Sequence, residues 1–198
     1  IRMNAGGQNL ECRPSMAGLV ALSVAWTAAA FLAAGPVAAQ PAAAATAQAV
    51  GVSGLPLPRF VSLKSDRVNM RSGPGTEYPT SWVFKRVGMP VEVLKEFEGW
   101  RQVRDSDGTT GWVLGSNLSG RRTVVVQPWD IKPGKPPVQT QLTEDADATA
   151  RVLAVLEAGV LGTIMTCTGR WCRIVVGELR GYIEQKKLWG VYDGEKFR

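Results

Sequence analysis

The chain has no histidine among its 198 residues. That absence removes the commonest general base near neutral pH, the Ser-His-Asp and Cys-His pairs of nucleophilic catalysis, and every histidine-ligated zinc site. Cysteine is scarce, three in all. The glycine-rich phosphate loop and the G-x-S-x-G elbow are both missing. Glu96, Glu98, Asp105 and Asp107 form a dense acidic group, and a solvated hairpin accounts for it. The expectation is a protein that is not an enzyme and takes no metal or cofactor. Dense runs of basic residues are lacking too. The 23 Lys and Arg are scattered, so a formal charge of +6 and a pI near 9.5 favour anionic surfaces in general, without the footprint of nucleic-acid binding.

What is present begins with an apolar run. Residues 16–34 carry no charge, Arg2 and Arg13 precede them, Gly35-Pro36 ends them, and Val37-Ala38-Ala39 supplies small residues. This is the pattern of a signal peptide over residues 1–39, cleaved between Ala39 and Gln40. A retained inner-membrane anchor is the competing reading, because the run is nearly long enough to span a bilayer. Against it stand the many alanines and the lack of a basic cluster afterwards. Export predicts a periplasmic location, with membrane contact only through an uncleaved signal. Residues 40–58, uncharged and rich in Ala and Pro, read as a flexible tether.

From residue 59 onward short β-prone runs alternate with glycine turns, the texture of a barrel or sandwich. Residues 146–158 stand apart, with helical propensity, as a short helix or a loop leading into a strand. The pattern occurs twice at an offset of about 70 residues. Val68 falls opposite Val138, Gly88 opposite Gly159, Gly99-Trp100-Arg101 opposite Arg170-Trp171-Cys172, and Gly111-Trp112-Val113 opposite Gly181-Tyr182-Ile183. The expected architecture is all-β: a first barrel over 59–122, a connection over 123–136 and a second barrel over 137–193.

Three motifs carry a resemblance. Val68-Asn69-Met70-Arg71-Ser72-Gly73-Pro74, Gly99-Trp100-Arg101-Gln102-Val103 and Thr110-Gly111-Trp112-Val113 occur in the order found in bacterial SH3-like domains. The second repeat resembles them less closely, with Gln141-Leu142-Thr143-Glu144 where the first has Arg71-Ser72-Gly73-Pro74. The resemblance implies two tandem SH3-like barrels and a binding function without catalytic residues, aimed at cell-wall peptidoglycan or an envelope protein. An adaptor for a membrane sensor or transporter, without glycan affinity, is the alternative.

After cleavage only Cys167 and Cys172 remain, flanking Thr168-Gly169-Arg170-Trp171. Paired strands on either side put them within disulfide reach, and an exported protein meets oxidising conditions. A Cys167–Cys172 bond is therefore expected. For ligand binding, the loop after the first motif and the neighbouring hairpin nominate Arg71, Glu77, Tyr78, Trp82 and Trp100 as one cluster. Arg71 either pairs with a ligand carboxylate or holds loop carbonyls. Trp112 is expected in barrel packing. Trp129, between the repeats, is expected as a wedge between the barrels.

Overall fold

The computed structural model describes residues 49–198. No α-helix occurs among them, and two antiparallel sheets hold about half of the described residues. The expected export segment and its cleavage site lie outside the described residues.

The first sheet holds β3 (Arg59–Leu63), β4 (Val68–Arg71), β5 (Thr80–Phe84), β6 (Pro90–Phe97), β7 (Trp100–Arg104), β8 (Thr110–Leu114) and β9 (Leu118–Ser119), in the order β5-β4-β8-β7-β6-β3-β9. The second holds β10 (Thr123–Val126), β11 (Gln139–Thr143), β12 (Val152–Glu157), β13 (Leu161–Thr168), β14 (Trp171–Val176), β15 (Leu179–Glu184) and β16 (Leu188–Trp189), in the order β12-β11-β15-β14-β13-β10-β16. The two orders are the same, strand for strand. Each sheet curls around its own core. Val68, Met70, Val91, Val103 and Val113 fill the first, and Leu142, Ile164, Ile174, Ile183 and Leu188 the second.

Register sharpens the repeat and corrects two expectations. Arg71 pairs with Trp112, and Thr143 pairs with Tyr182. Arg71 therefore corresponds to Thr143, Met70 to Leu142 and Val68 to Thr140, two residues away from the Val68–Val138 match. The slip arises because the loops differ in length, so no single offset fits all strands. Thr123–Val126, expected in the connection, pairs with β13 and β16 and is the first strand of the second sheet. It is a run of β-branched residues with its partner strand 36 to 40 residues away, and nothing local announces that pairing.

Bulges recur in equivalent places. One interrupts β6 between Val93 and Lys95, another β13 between Ile164 and Thr166. Each re-phases the alternation of side chains, so that Glu96 and Cys167 turn inward at the same point. The helical option for residues 146–158 is not taken. Residues 152–157 form β12, because Leu156 and Ala154 reach the core only when extended.

Extra pieces close the two barrels at that point. Part of the expected tether, residues 49–57, forms a two-stranded ribbon of β1 (Ala49–Val50) and β2 (Pro56–Leu57), and the Ser53 amide and hydroxyl donate to Glu96 at 2.8 Å each. At the other barrel β17 (Lys196–Phe197) pairs with Cys167 and Thr168.

The barrels abut through aromatic packing. The Phe60 ring meets Trp189 edge-on at 5.1 Å and Tyr192 at 4.7 Å. Trp189 Nε1 donates to the Pro90 carbonyl at 3.2 Å, and the Tyr192 hydroxyl donates to buried Glu92 at 3.0 Å. Burial, then the neighbouring Glu92, pushes the Tyr192 phenol well up. Trp189 is thus the wedge that Trp129 was expected to be. Trp129 sits in a single 3-10 turn, Pro128–Asp130, with 45% of its surface exposed.

Candidate functional site

The five nominated residues do not form one cluster. Three of them organise a single loop. Arg71, at the end of β4, donates from Nη1 to the Thr76 carbonyl at 3.0 Å and to the Tyr78 carbonyl. A Cβ on Gly73 would collide with the Tyr78 ring, and one on Gly75 with the Glu77 carboxylate. The loop folds onto itself, with Tyr78 lying on one glycine and Glu77 on the other. Arg71 is accordingly the clasp of this loop, the second of its two expected roles.

Strand alternation separates the two tryptophans. Neighbouring residues of a strand face opposite sides of a sheet. Arg71 pairs with Trp112, which pairs in turn with Gln102, so these three share the outer face. Trp100 pairs with Phe97 and Leu114 on that same face. Trp82 pairs instead with Met70, whose side chain is fully buried, and so belongs to the other side. Trp112 is also not in the core, as its neighbour Val113 fills that place and the indole lies half-buried outside.

Trp82 lies at the free edge of the first sheet with 56% of its surface exposed. It opens a groove of about 560 Å³ lined further by Val83, Phe84, Lys85, Arg86 and Met89, and by none of the other four nominated residues. An aromatic face with two cations and a methionine is chemistry for gripping an anionic or polar chain against an apolar floor. In the second barrel the Trp82 position is Ala154, so the groove belongs to the first barrel. Sequence reading missed Lys85, Arg86 and Met89. They follow a strand whose edge position is set by the sheet order alone.

The cysteines behave as expected. Cys167 and Cys172 are bonded, paired across the β13–β14 hairpin and buried in the second core. The equivalent cross-strand pair in the first barrel is Glu96 and Arg101. Their ion pair measures 3.0 Å, and Arg59 Nη2 reaches the same carboxylate at 2.6 Å. Burial works against the Glu96 charge, but the Ser53 amide, Arg59 and Arg101 outweigh it and hold the carboxyl down at about 2. Among the described residues no group of three or more Cys, Asp or Glu is arranged to hold a metal ion.

Comparison with known proteins places these features. The family model described as bacterial SH3 domain matches residues 64–120 and again 140–190. No curated protein matches the chain. Among solved structures it is similar to NlpC2 of Trichomonas vaginalis, at 14% identity over 67% of this chain and 48% of that one, with a TM-score of 0.30. NlpC1 of the same organism gives 14% over 70% and 48%, also at 0.30. An NlpC/P60 family protein from Bacillus cereus gives 10% over 66% and 55%, at 0.28. The chain spans about half the length of these solved proteins.

Proposed function

The chain belongs to the bacterial SH3 domain family, and from that premise we propose that it is a non-catalytic binding or scaffold protein of the bacterial envelope, exported to the periplasm, whose target is cell-wall peptidoglycan or an envelope protein. The observation that carries this reading is the Trp82 groove. A large indole left exposed at a sheet edge, flanked by Lys85, Arg86 and Met89, is the kind of aromatic anchor that binding surfaces use. The basic composition, +6 overall, adds attraction to an anionic wall. The absence of histidine argues against hydrolytic chemistry in this chain.

The test is retention by purified sacculi. At low salt the chain is expected to sediment with them, without releasing soluble fragments. Trp82→Ala is expected to weaken retention at least about tenfold, the effect of losing one buried aromatic anchor. No retention at low salt removes the wall target, and cross-linking in cells then identifies the envelope protein that takes its place. Fragment release by the purified chain refutes the non-catalytic reading.

A further inference from the structure

A second groove, of about 460 Å³, lies on the first barrel where the N-terminal ribbon and the start of the second barrel meet it. Its floor is apolar, with Phe60, Val61 and Leu118, and Pro56 of the ribbon forms part of one wall. Three guanidinium groups also line it, those of Arg59, Arg101 and Arg122. They come from three separate pieces of chain. Arg59 and Arg101 share one carboxylate, Glu96, while Arg122 takes Glu195 through both nitrogens at 2.8 and 3.0 Å. Three cations against two carboxylates leave one positive charge unbalanced.

Arg59 Nε and Arg122 Nε are buried, so a ligand in the groove meets the terminal nitrogens of these side chains. Phe60 and Phe197, each with the Arg122 guanidinium over its ring at 5.9 and 5.3 Å, hold that side chain in place.

We infer that this groove is a carboxylate-binding site, and that its ligand is the free C-terminal carboxylate of a peptide whose apolar residues lie on Phe60 and Leu118. The inference rests on the reading of this chain as a binding protein and names a ligand chemistry for it, at a place distinct from Trp82. Guanidinium groups take carboxylates in forked, charge-assisted pairs. The mixed apolar and cationic lining suits a short peptide end better than a bare ion. Because Arg122 and Gly120 belong to the connection into the second barrel, the site exists only in the tandem arrangement.

The probe is N-acetyl-trialanine, as free acid and as C-terminal amide, titrated into the whole chain and followed by amide shifts of Ser119 and Gly120. The acid is expected to bind at least about tenfold tighter than the amide. A Cβ at Gly120 meets open space, so Gly120→Glu places a negative charge at the groove without disturbing packing and is expected to abolish acid binding, while Gly120→Gln retains it. Equal binding of acid and amide, no binding of the acid, or an unaffected Gly120→Glu variant overturns the inference. Sacculi distinguish the source of the carboxylate. Lost retention of Gly120→Glu assigns it to wall peptides, and full retention assigns it to a protein tail. If sacculi fail to retain the native chain while the acid still binds, the wall reading falls and the groove stands. If they retain it with no acid–amide difference, the groove falls and the wall reading stands.

Discussion

The two barrels solve the same packing problem with different chemistry at one position. In the first, the inward cross-strand pair at the end of the β6–β7 hairpin is Glu96 and Arg101; in the second, the equivalent pair is the Cys167–Cys172 disulfide. Around these pairs the frameworks agree closely. Gly88 and Gly159 both donate to the last residue of the barrel's first strand, the Leu63 and Val126 carbonyls, at 2.8 and 2.7 Å. Gly111 and Gly181 both sit where the neighbouring strand crosses too close for a Cβ. Even the loop clasp is shared in function, since the Thr143 hydroxyl donates to the Asp145 carbonyl at 2.7 Å where Arg71 holds Thr76 and Tyr78. The lesson is that barrel geometry is dictated by backbone proximity, which tolerates only glycine, whereas the hairpin end needs only some inward pair that satisfies itself. A covalent bond and a charged network both meet that need.

The comparison predicts its own largest disruption at the shared glycines. A Cβ at Gly181 would stand 2.7 Å from the Thr143 carbonyl oxygen and 2.7 Å from Leu142 Cγ. Backbone cannot yield as a side chain does, so Gly181→Ala is expected to cost about 3 kcal/mol in urea unfolding. Gly111→Ala presses on Met70 and stands 3.0 Å from the Arg71 carbonyl, and is expected to cost less because the unbranched methionine adapts. Equal, negligible costs would show that the strand crossings are looser than the distances imply.

The hairpin pair comes next. Removing the disulfide by Cys167→Ser with Cys172→Ser is expected to cost about 2 kcal/mol, the loop-entropy value for so short a closure. The loss should be reproduced by reductant and be indifferent to mild acid. The smallest effect is expected at Glu96, and it should show the opposite dependence. Its folded carboxyl lies at about 2 against an ordinary 4.5. Its contribution is therefore complete above pH 4.5 and lost as pH falls from there toward 2. Glu96→Gln is expected to remove about 1 kcal/mol at pH 7, since a glutamine of nearly the same shape still accepts from Ser53, Arg59 and Arg101 and only the charge is lost. The variant should flatten the acid limb of the stability curve and leave sensitivity to reductant unchanged. An acid limb that persists in Glu96→Gln would assign it to other carboxylates, Glu195 among them.

Much of this molecule is legible in its sequence. Turn glycines, β-branched runs and the twice-repeated Gly-aromatic-aliphatic triplet mark an all-β tandem, because those signals are local and period-two patterning survives in short strands. The disulfide is legible for the same reason, its partners lying across one tight hairpin. The nominated cluster is only partly so. Arg71, Glu77 and Tyr78 do share a loop, as their spacing implies, yet they brace that loop, and Trp82 and Trp100 lie on different sides of the sheet.

Tertiary structure decided the rest. A bulge moves every later side chain to the other face, and a bulge has no reliable mark in a single sequence. The pairing of Thr123–Val126 with β13, the wedge of Trp189 against Phe60 and the convergence of Arg59, Arg101 and Arg122 on one groove all join residues tens of positions apart. Local propensity chose the elements. Which charges and rings meet is set by how two curled sheets close against each other, and that is a property of the folded surface as a whole.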